Sequence, residues 1–357
     1  MTRKLASIRR VNNLAPIKGA DRIEVATIDG WKVVVKKGEF VVGDLCTYFE
    51  IDSWVPHSVA PFLTGVGKEP REYKGVKGQK LKTVKLRGQI SQGLALKTNT
   101  WGLNEGDDVT DRLGVMKWEP EESSERATGA GKKVWTAKNF PTHLFPKTDQ
   151  ERIQNVFHLR PKDHTYEVTA KLDGSSCSIF RHKGRLRVCS RNIELEIREK
   201  DDSWLVSWLR RLIGKQPRRK TVGNHFVDMA LKVGRNVPDG YCFQGELCGP
   251  GIQDNYEKLE DFKFFVYDIV NMETRTYLDP TTRRVVAFAK GFDHVPVISQ
   301  EASYPESVEE AIALADSTPS VNRPDAEGVV FKSNTDPNLS FKAISNQYLL
   351  YKDSKGD

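Results

Sequence analysis

Cysteine is scarce in this chain, and the five present (Cys46, Cys177, Cys189, Cys242 and Cys248) form no CxxC pair. An odd number of scattered thiols argues against a disulfide framework and a cysteine-built zinc site, and it suits a reducing compartment. Also missing is any apolar run approaching the ~18 residues that cross a bilayer. The opening MTRKLASIRRVNNLAP has neither the apolar core nor the small-residue cleavage site of a secretory leader. The expectation is a cytoplasmic or nuclear protein with no membrane partner. An acidic balance is absent as well: residues 1–100 carry 18 Lys and Arg against 9 Asp and Glu, leaving 37 against 39 in the remainder. All of the net charge of +7 therefore resides in the N-terminal part. There Lys68, Arg71, Lys74, Lys77, Lys80, Lys82, Lys85 and Arg87 recur every two or three residues. A solvated face accounts for such a run on a neutral protein, and here a polyanionic partner accounts for it at least as well.

What is present is enough for two domains: 357 residues, 38% hydrophobic and 29% charged, an ordinary soluble composition. Residues 1–114 read as short strands (KLASIRRV, DRIEVATID, WKVVVKKG, DLCTYFEI, KLKTVKL, GLALK) separated by glycine and Asx-Gly or Lys-Gly turns. That pattern predicts a small barrel, and a five-stranded OB-like β-barrel with a nucleic-acid-binding surface fits its length and charge. From 115 to 150 the pattern dissolves into polar, breaker-rich segments that predict a linker. Within it, RATGAGKK imitates a phosphate-binding P-loop but has Arg126 where the motif needs glycine and Lys133 where it needs Ser or Thr. Residues 151–357 alternate strands with helical patterns, so the fold class is α+β with antiparallel sheets flanked by helices. One such pattern sets Trp204, Leu205, Trp208, Leu209, Leu212 and Ile213 on a single helical face.

The informative stretch is EVTAKLDGSSCSIF, residues 167–180. Residues i and i+2 of a strand share a face, so Lys171 and Asp173 point into one cavity with Leu172 behind them, and Gly174 permits a sharp turn. An incidental surface ion pair explains KxDG in isolation. It is followed, however, by SRNIEL (190–195), FQGELCGPG (243–251), FFVYDI (264–269), EGVVFK (327–332) and SFKAIS (340–345), in that order. This ordered set resembles the covalent nucleotidyltransferases, the superfamily of DNA ligases, RNA ligases and mRNA capping enzymes.

The resemblance implies that Lys171 attacks the α-phosphate of ATP, releases pyrophosphate and carries AMP. An unperturbed lysine is neutral in only about one molecule in 2,500 at pH 7, so its surroundings must change for it to act as a nucleophile. A divalent cation, Mg²⁺ or Mn²⁺, held directly or through water by Asp173, Glu246 and Glu327, would depress that pKa and neutralise the phosphate under attack. By the same resemblance Arg191 contacts ribose or nucleic acid phosphate. Tyr267 and Val330 sandwich the adenine, with Phe265 in place of Tyr267 if the register differs by two; core packing is the alternative for all three. Lys342 grips the α-phosphate or pyrophosphate. Many relatives carry a second lysine where this chain has Ile344, and Lys147 and Arg152 are candidates to hold the β- and γ-phosphates, with surface salt bridging the alternative for each.

DNA ligases and capping enzymes characteristically place an OB domain after the last of these motifs, whereas here the barrel-like, basic region comes first. That order resembles the nick-sealing ATP-dependent RNA ligases. The implied partner is a nicked duplex with RNA on the 3′-OH side, clamped by Lys80, Lys82, Lys85 and Arg87 and sealed by a monomer. A GTP-dependent capping-type guanylyltransferase and a non-catalytic OB-type RNA-binding protein are the alternatives.

Overall fold

The computed structural model describes residues 3–97, 102–119, 138–197 and 224–354. The helical spacing at 204–213 and the glycine-rich decoy at 126–133 lie outside the described residues. Among the described residues no helix is long and apolar enough to cross a membrane.

The N-terminal part is an OB-fold barrel built of small sheets. Ala6–Arg10, Leu45–Phe49 and Leu94–Leu96 form one; Asn13–Pro16, Ile23–Ile28 and Trp31–Lys36 form a meander beside it. A third joins Met116–Lys117, Ser53–Pro56, Val76–Lys80 and Arg71–Tyr73. The barrel is more finely divided than five strands, because Pro16 and Pro56 and frequent turns stop the ladders after a few residues. Trp31, Val33, Ile28 and Tyr48 fill its interior. Thr83–Leu86 and Gln89–Gln92 pair as a two-stranded ribbon. The turn between them, Arg87-Gly88, has φ of 50° and 84°, the paired positive values that a two-residue type I′ hairpin requires.

The rest of the described chain forms two further sheets. In a five-stranded sheet Tyr166–Lys171 lies between Gly328–Ser333 and Val297–Ala302, with Ser340–Ile344 and Glu151–Arg152 beyond. The chain then crosses at Leu172–Gly174 to Ser175–His182, in an eight-stranded sheet that also holds Tyr241–Cys248 and Lys263–Asn271. Pairing is antiparallel except where Glu151–Arg152 meets Ser340–Ile344 and Asp293–His294 meets Lys263–Asn271. Helices cover the outer faces, and their starts are legible as caps: Asn224 accepts from Phe226 and Val227, and Asp279 from Thr282 ahead of Pro280.

The barrel is fastened to these sheets by polar contacts. Asn155 donates to Glu50 at 2.6 Å and accepts from Arg9 at 3.1 Å, while Arg152 lies 3.3 Å from Asp52. The last helix, Asn346–Ser354, runs beside the ribbon: Asp353 accepts from the Thr83 amide at 2.7 Å and Asn346 from Gln92 at 3.0 Å.

Between the sheets lies a buried charge network. Glu167 accepts from both Arg283 and Arg284; Lys332 donates to Asp268 and, at 3.1 Å, to the carbonyl of Tyr267. Arg283 also donates through Nε to His294 Nε2 at 3.1 Å. Because arginine can only donate, Nε2 must accept, and Nδ1 carries the proton toward the Val295 carbonyl 2.7 Å away. Burial, reinforced by Arg283, lowers the His294 pKa to about 4. An unfolded chain takes up that proton near 6.5, so stability is expected to fall as pH drops from about 6.5 to about 4, by on the order of 3 kcal/mol. Thermal melts of wild type and His294→Asn at pH 7 and pH 4.5 check this. The variant should be the less acid-sensitive of the two, and equal sensitivity would show that His294 contributes nothing to it.

Candidate active site

Lys171 is the last residue of its strand and the only one not fully buried. Its Nζ lies 2.7 Å from Oε2 of Glu327. The sheet sets this contact, since Lys171 is registered opposite Gly328, the neighbour of Glu327. Asp173 reaches the same cavity differently from the expected strand alternation, because the ladder ends at Lys171 and Leu172–Gly174 is the crossover between sheets. Gly174 serves close approach. A Cβ there would lie 2.5 Å from the Leu247 carbonyl oxygen and 2.7 Å from Cys248 Sγ, so glycine lets the crossover lie against the strand that carries Glu246. Glu246 is opposite Ser176 on one side and Phe265 on the other.

The electrostatics of these four groups are coupled. Burial alone would lower the Lys171 pKa, but Glu327, Glu246 and Asp173 more than offset it, and the net shift is upward. The acids suffer in turn: burial first, then mutual repulsion, raises Glu246 to about 8 and Asp173 to about 6. The surrounding acids therefore hold Lys171 as an ammonium, the wrong form for attack. Among the described residues no three His, Cys, Asp or Glu side chains are spaced to hold a metal ion by themselves. Yet the three carboxylates offer only oxygen donors and too much negative charge for one another, which suits a hydrated Mg²⁺ or Mn²⁺ held partly through its own waters.

On the second sheet, Phe265 is buried among Ala170, Leu172 and Cys248, whereas Tyr267 sits at the margin of that cluster. The Tyr267 hydroxyl is 3.0 Å from both the Thr148 and Ser176 hydroxyls. Val330 is half-buried on the facing sheet, in register with Lys342.

The cations are distributed unevenly. Lys342 is neighbour to Arg152 through the parallel pairing, and burial, with Lys171 and Arg152 adding repulsion, lowers its pKa to about 7. Arg152 is itself buried, stacks 5.7 Å from the Trp31 ring and leans to Asp52 of the barrel. Lys147 donates to Asn192 at 3.0 Å. Ile344, at the position where the resemblance puts a second lysine in many relatives, packs with Tyr256 and Tyr348. Arg191 is exposed, 3.4 Å from Asp149. In the basic run, Lys85 and Arg87 are exposed on the ribbon and Lys82 half-exposed at its base. Lys80 is instead turned inward, 3.7 Å over the Trp118 ring.

Several residues escape sequence reasoning. Lys352, on the last helix, lies 2.9 Å from Asp173. Glu257, wholly buried, accepts from the Asp173 amide at 3.2 Å. Asp149 meets cations from three elements. All three sit in segments without strand or helix periodicity or at a charged helix end, so tertiary proximity alone reveals them.

A lysine at a strand exit, ringed by acids on two facing sheets and preceded by a small β-barrel, defines a covalent nucleotidyltransferase with an N-terminal OB-fold domain. A family profile for RNA ligase matches residues 164–344, and one for an OB-fold domain matches residues 5–98. The chain belongs to the RNA ligase family. It superposes on Naegleria gruberi RNA ligase: a single-residue variant with AMP and Mn at TM-score 0.77 and 36% identity, covering 97% of this chain and 98% of that one. A second variant, with ATP and Mn, gives 0.76, 36%, 97% and 98%. The ligase with PPi gives 0.76 and 35% over 99% of this chain and 100% of that one. Comparison with curated protein sequences returns no match.

Proposed function

We propose that this RNA ligase is ATP-dependent and seals nicks in duplex nucleic acid, joining a 3′-OH on the RNA side to a 5′-phosphate. The observation that carries this is Lys171 held at a strand end by Glu327, with Asp173 and Glu246 in the same cavity and Lys342 on the next strand but one. A divalent cation among the three acids would, when bound, take up their charge and so release the Lys171 proton. The neutral amine forms a P–N bond to the α-phosphorus as the bond to the bridging oxygen breaks. That oxygen leaves with its electron pair as pyrophosphate, and the amine gives up a proton. A 5′-phosphate oxygen then displaces Lys171 from AMP, and the 3′-OH, losing its proton, attacks the 5′-phosphorus and expels AMP.

Tyr267 and Val330 are assigned as walls for the base, with Phe265, buried in the adjoining apolar cluster, as packing. Lys342, with Arg152 beside it and Lys147 on the facing loop, supplies charge for the phosphates. Arg191, exposed beside Asp149, is assigned to ribose or the 5′-phosphate. All these groups come from one chain, so a monomer suffices. Five free, buried cysteines fit the cytosol or nucleus.

Phosphate contacts on the ribbon are independent of sequence and screened by salt. Charge reversal at Lys82, Lys85 and Arg87 together is expected to lower sealing of a nicked duplex by roughly tenfold or more near 0.1 M salt while leaving lysyl-AMP formation unchanged. Lys80 is left intact because Trp118 packs on it. Labelling with ATP and with GTP in the same assay identifies the nucleotide. An equal fall in both steps would make the ribbon part of the nucleotide site and overturn this division of labour.

A further inference from the structure

Asp149 is a carboxylate set among cations. Lys117 of the barrel lies 3.2 Å from Oδ2, Arg191 in the turn between Arg185–Cys189 and Ile193–Leu195 of the eight-stranded sheet 3.4 Å from the same oxygen, and Lys342 of the five-stranded sheet 3.8 Å from Oδ1. Three separately folded elements thus converge on one acid in a short loop. That loop is itself fixed over the cleft, since the adjacent Thr148 bonds the Tyr267 hydroxyl at 3.0 Å. Partial burial would raise the Asp149 pKa, but Lys342, Lys117 and Arg191 lower it to about 2, so it is an anion throughout the working range. Pairing with a half-exposed carboxylate such as Asp149 (53% exposed) is screened by water and usually contributes little to stability, and a clamp for folding is therefore a weak explanation for three partners.

We infer that Asp149 is a built-in counter-charge in the phosphate seat, which keeps binding of the released pyrophosphate weaker than the converging cations alone would make it. This rests on the placement of the nucleotide phosphates beside Lys342 proposed above. Pyrophosphate carries several negative charges, each repelled by a carboxylate a few ångströms away, and the cations neutralised by Asp149 are those that would otherwise retain the product. A seat tuned in this way holds the triphosphate long enough for transfer and then lets pyrophosphate go, which keeps the first step from running backward.

The test is calorimetric titration with inorganic pyrophosphate, at constant Mg²⁺, of AMP-stripped wild type, Asp149→Asn and Lys342→Ala. Asp149→Asn is expected to bind pyrophosphate about tenfold tighter at low salt, with the gain shrinking as ionic strength rises. It should also need less pyrophosphate to reverse the lysyl-AMP adduct. Lys342→Ala is expected to bind it about tenfold more weakly. If Asp149→Asn binds equally or more weakly while Lys342→Ala loses affinity, the seat is correctly located and Asp149 merely orients its cations, which overturns the inference alone. If Lys342→Ala binds like wild type, the seat itself is misplaced and both fall. Asp149 is exposed and Asn isosteric, so folding is preserved; Asp149→Ala, with the same sign expected, guards against a new amide contact.

Discussion

Lys171→Ala, incubated with ATP and a divalent cation, is expected to keep its unmodified mass, while wild-type protein gains one AMP and loses it again when pyrophosphate is added. The effect should be total within detection, a loss on the order of 10⁴-fold or more, as when the nucleophile of a covalent enzyme is removed. No neighbour can substitute. Lys342 approaches neutrality more closely, with its pKa near 7, but it is separated from Lys171 by the intervening Gly328–Ser333 strand, and Lys352, the other lysine at these acids, is paired with Asp173 at 2.9 Å. Lys171→Arg controls for folding, because it keeps a cation opposite Glu327 but offers no amine to carry AMP. Intact-mass measurement decides the matter. AMP on Lys171→Ala would relocate the nucleophile, and Lys342 would be the first residue to try next.

Glu167→Gln is expected to be the most damaging single change to stability. Glu167 is fully buried between Arg283 and Arg284, and Arg283 is itself almost completely buried. Neutralising the acid leaves a buried guanidinium bonded to neutral His294, with Asp268, which already serves Lys332, as its remaining ion-pair partner. Breaking one partner of such a network costs about 3–5 kcal/mol, more than the network adds over an apolar replacement. A melting temperature lower by roughly 10 °C follows for a unit of this size. The double change Glu167→Leu, Arg283→Met should be less damaging than Glu167→Gln alone, since the fully buried guanidinium goes with its acid and Arg284 is partly exposed to water. A double variant no better than additive would mean that packing, not charge, dominates there.

The proposed nucleophile and its acids are legible in the sequence for a physical reason: a charge in or against an apolar strand needs a purpose, and Glu246 lies inside one while Lys171 ends one and Glu327 immediately precedes one. Glycine-marked turns likewise reveal the barrel, though not its subdivision, because where a ladder breaks depends on which strands pair across the barrel. Gly174 is legible as special but not in its role, since nothing in KLDG announces the Cys248 strand lying against it. Arg283 and Glu167 are separated by 116 positions, and no periodicity joins them. Lys80 and Lys85 look alike in a basic run, and only the presence of Trp118 separates an inward cation from an outward one.

The last helix has a consequence beyond fastening the barrel. Its nine residues rise about 13 Å at 1.5 Å per residue, and the ribbon-bearing strands are held near both of its ends, by Asn346 and by Asp353. Between Asp353 and the cavity stands Lys352, one position earlier, touching Asp173. The ribbon can therefore neither swing nor slide without dragging a group that touches the cavity beside Lys171. With nucleic acid gripped at Arg87 as proposed, the helix would act as a ruler between that grip and Lys171: one residue inserted in it would rotate the later contacts by about 100° and misregister the two while leaving each intact.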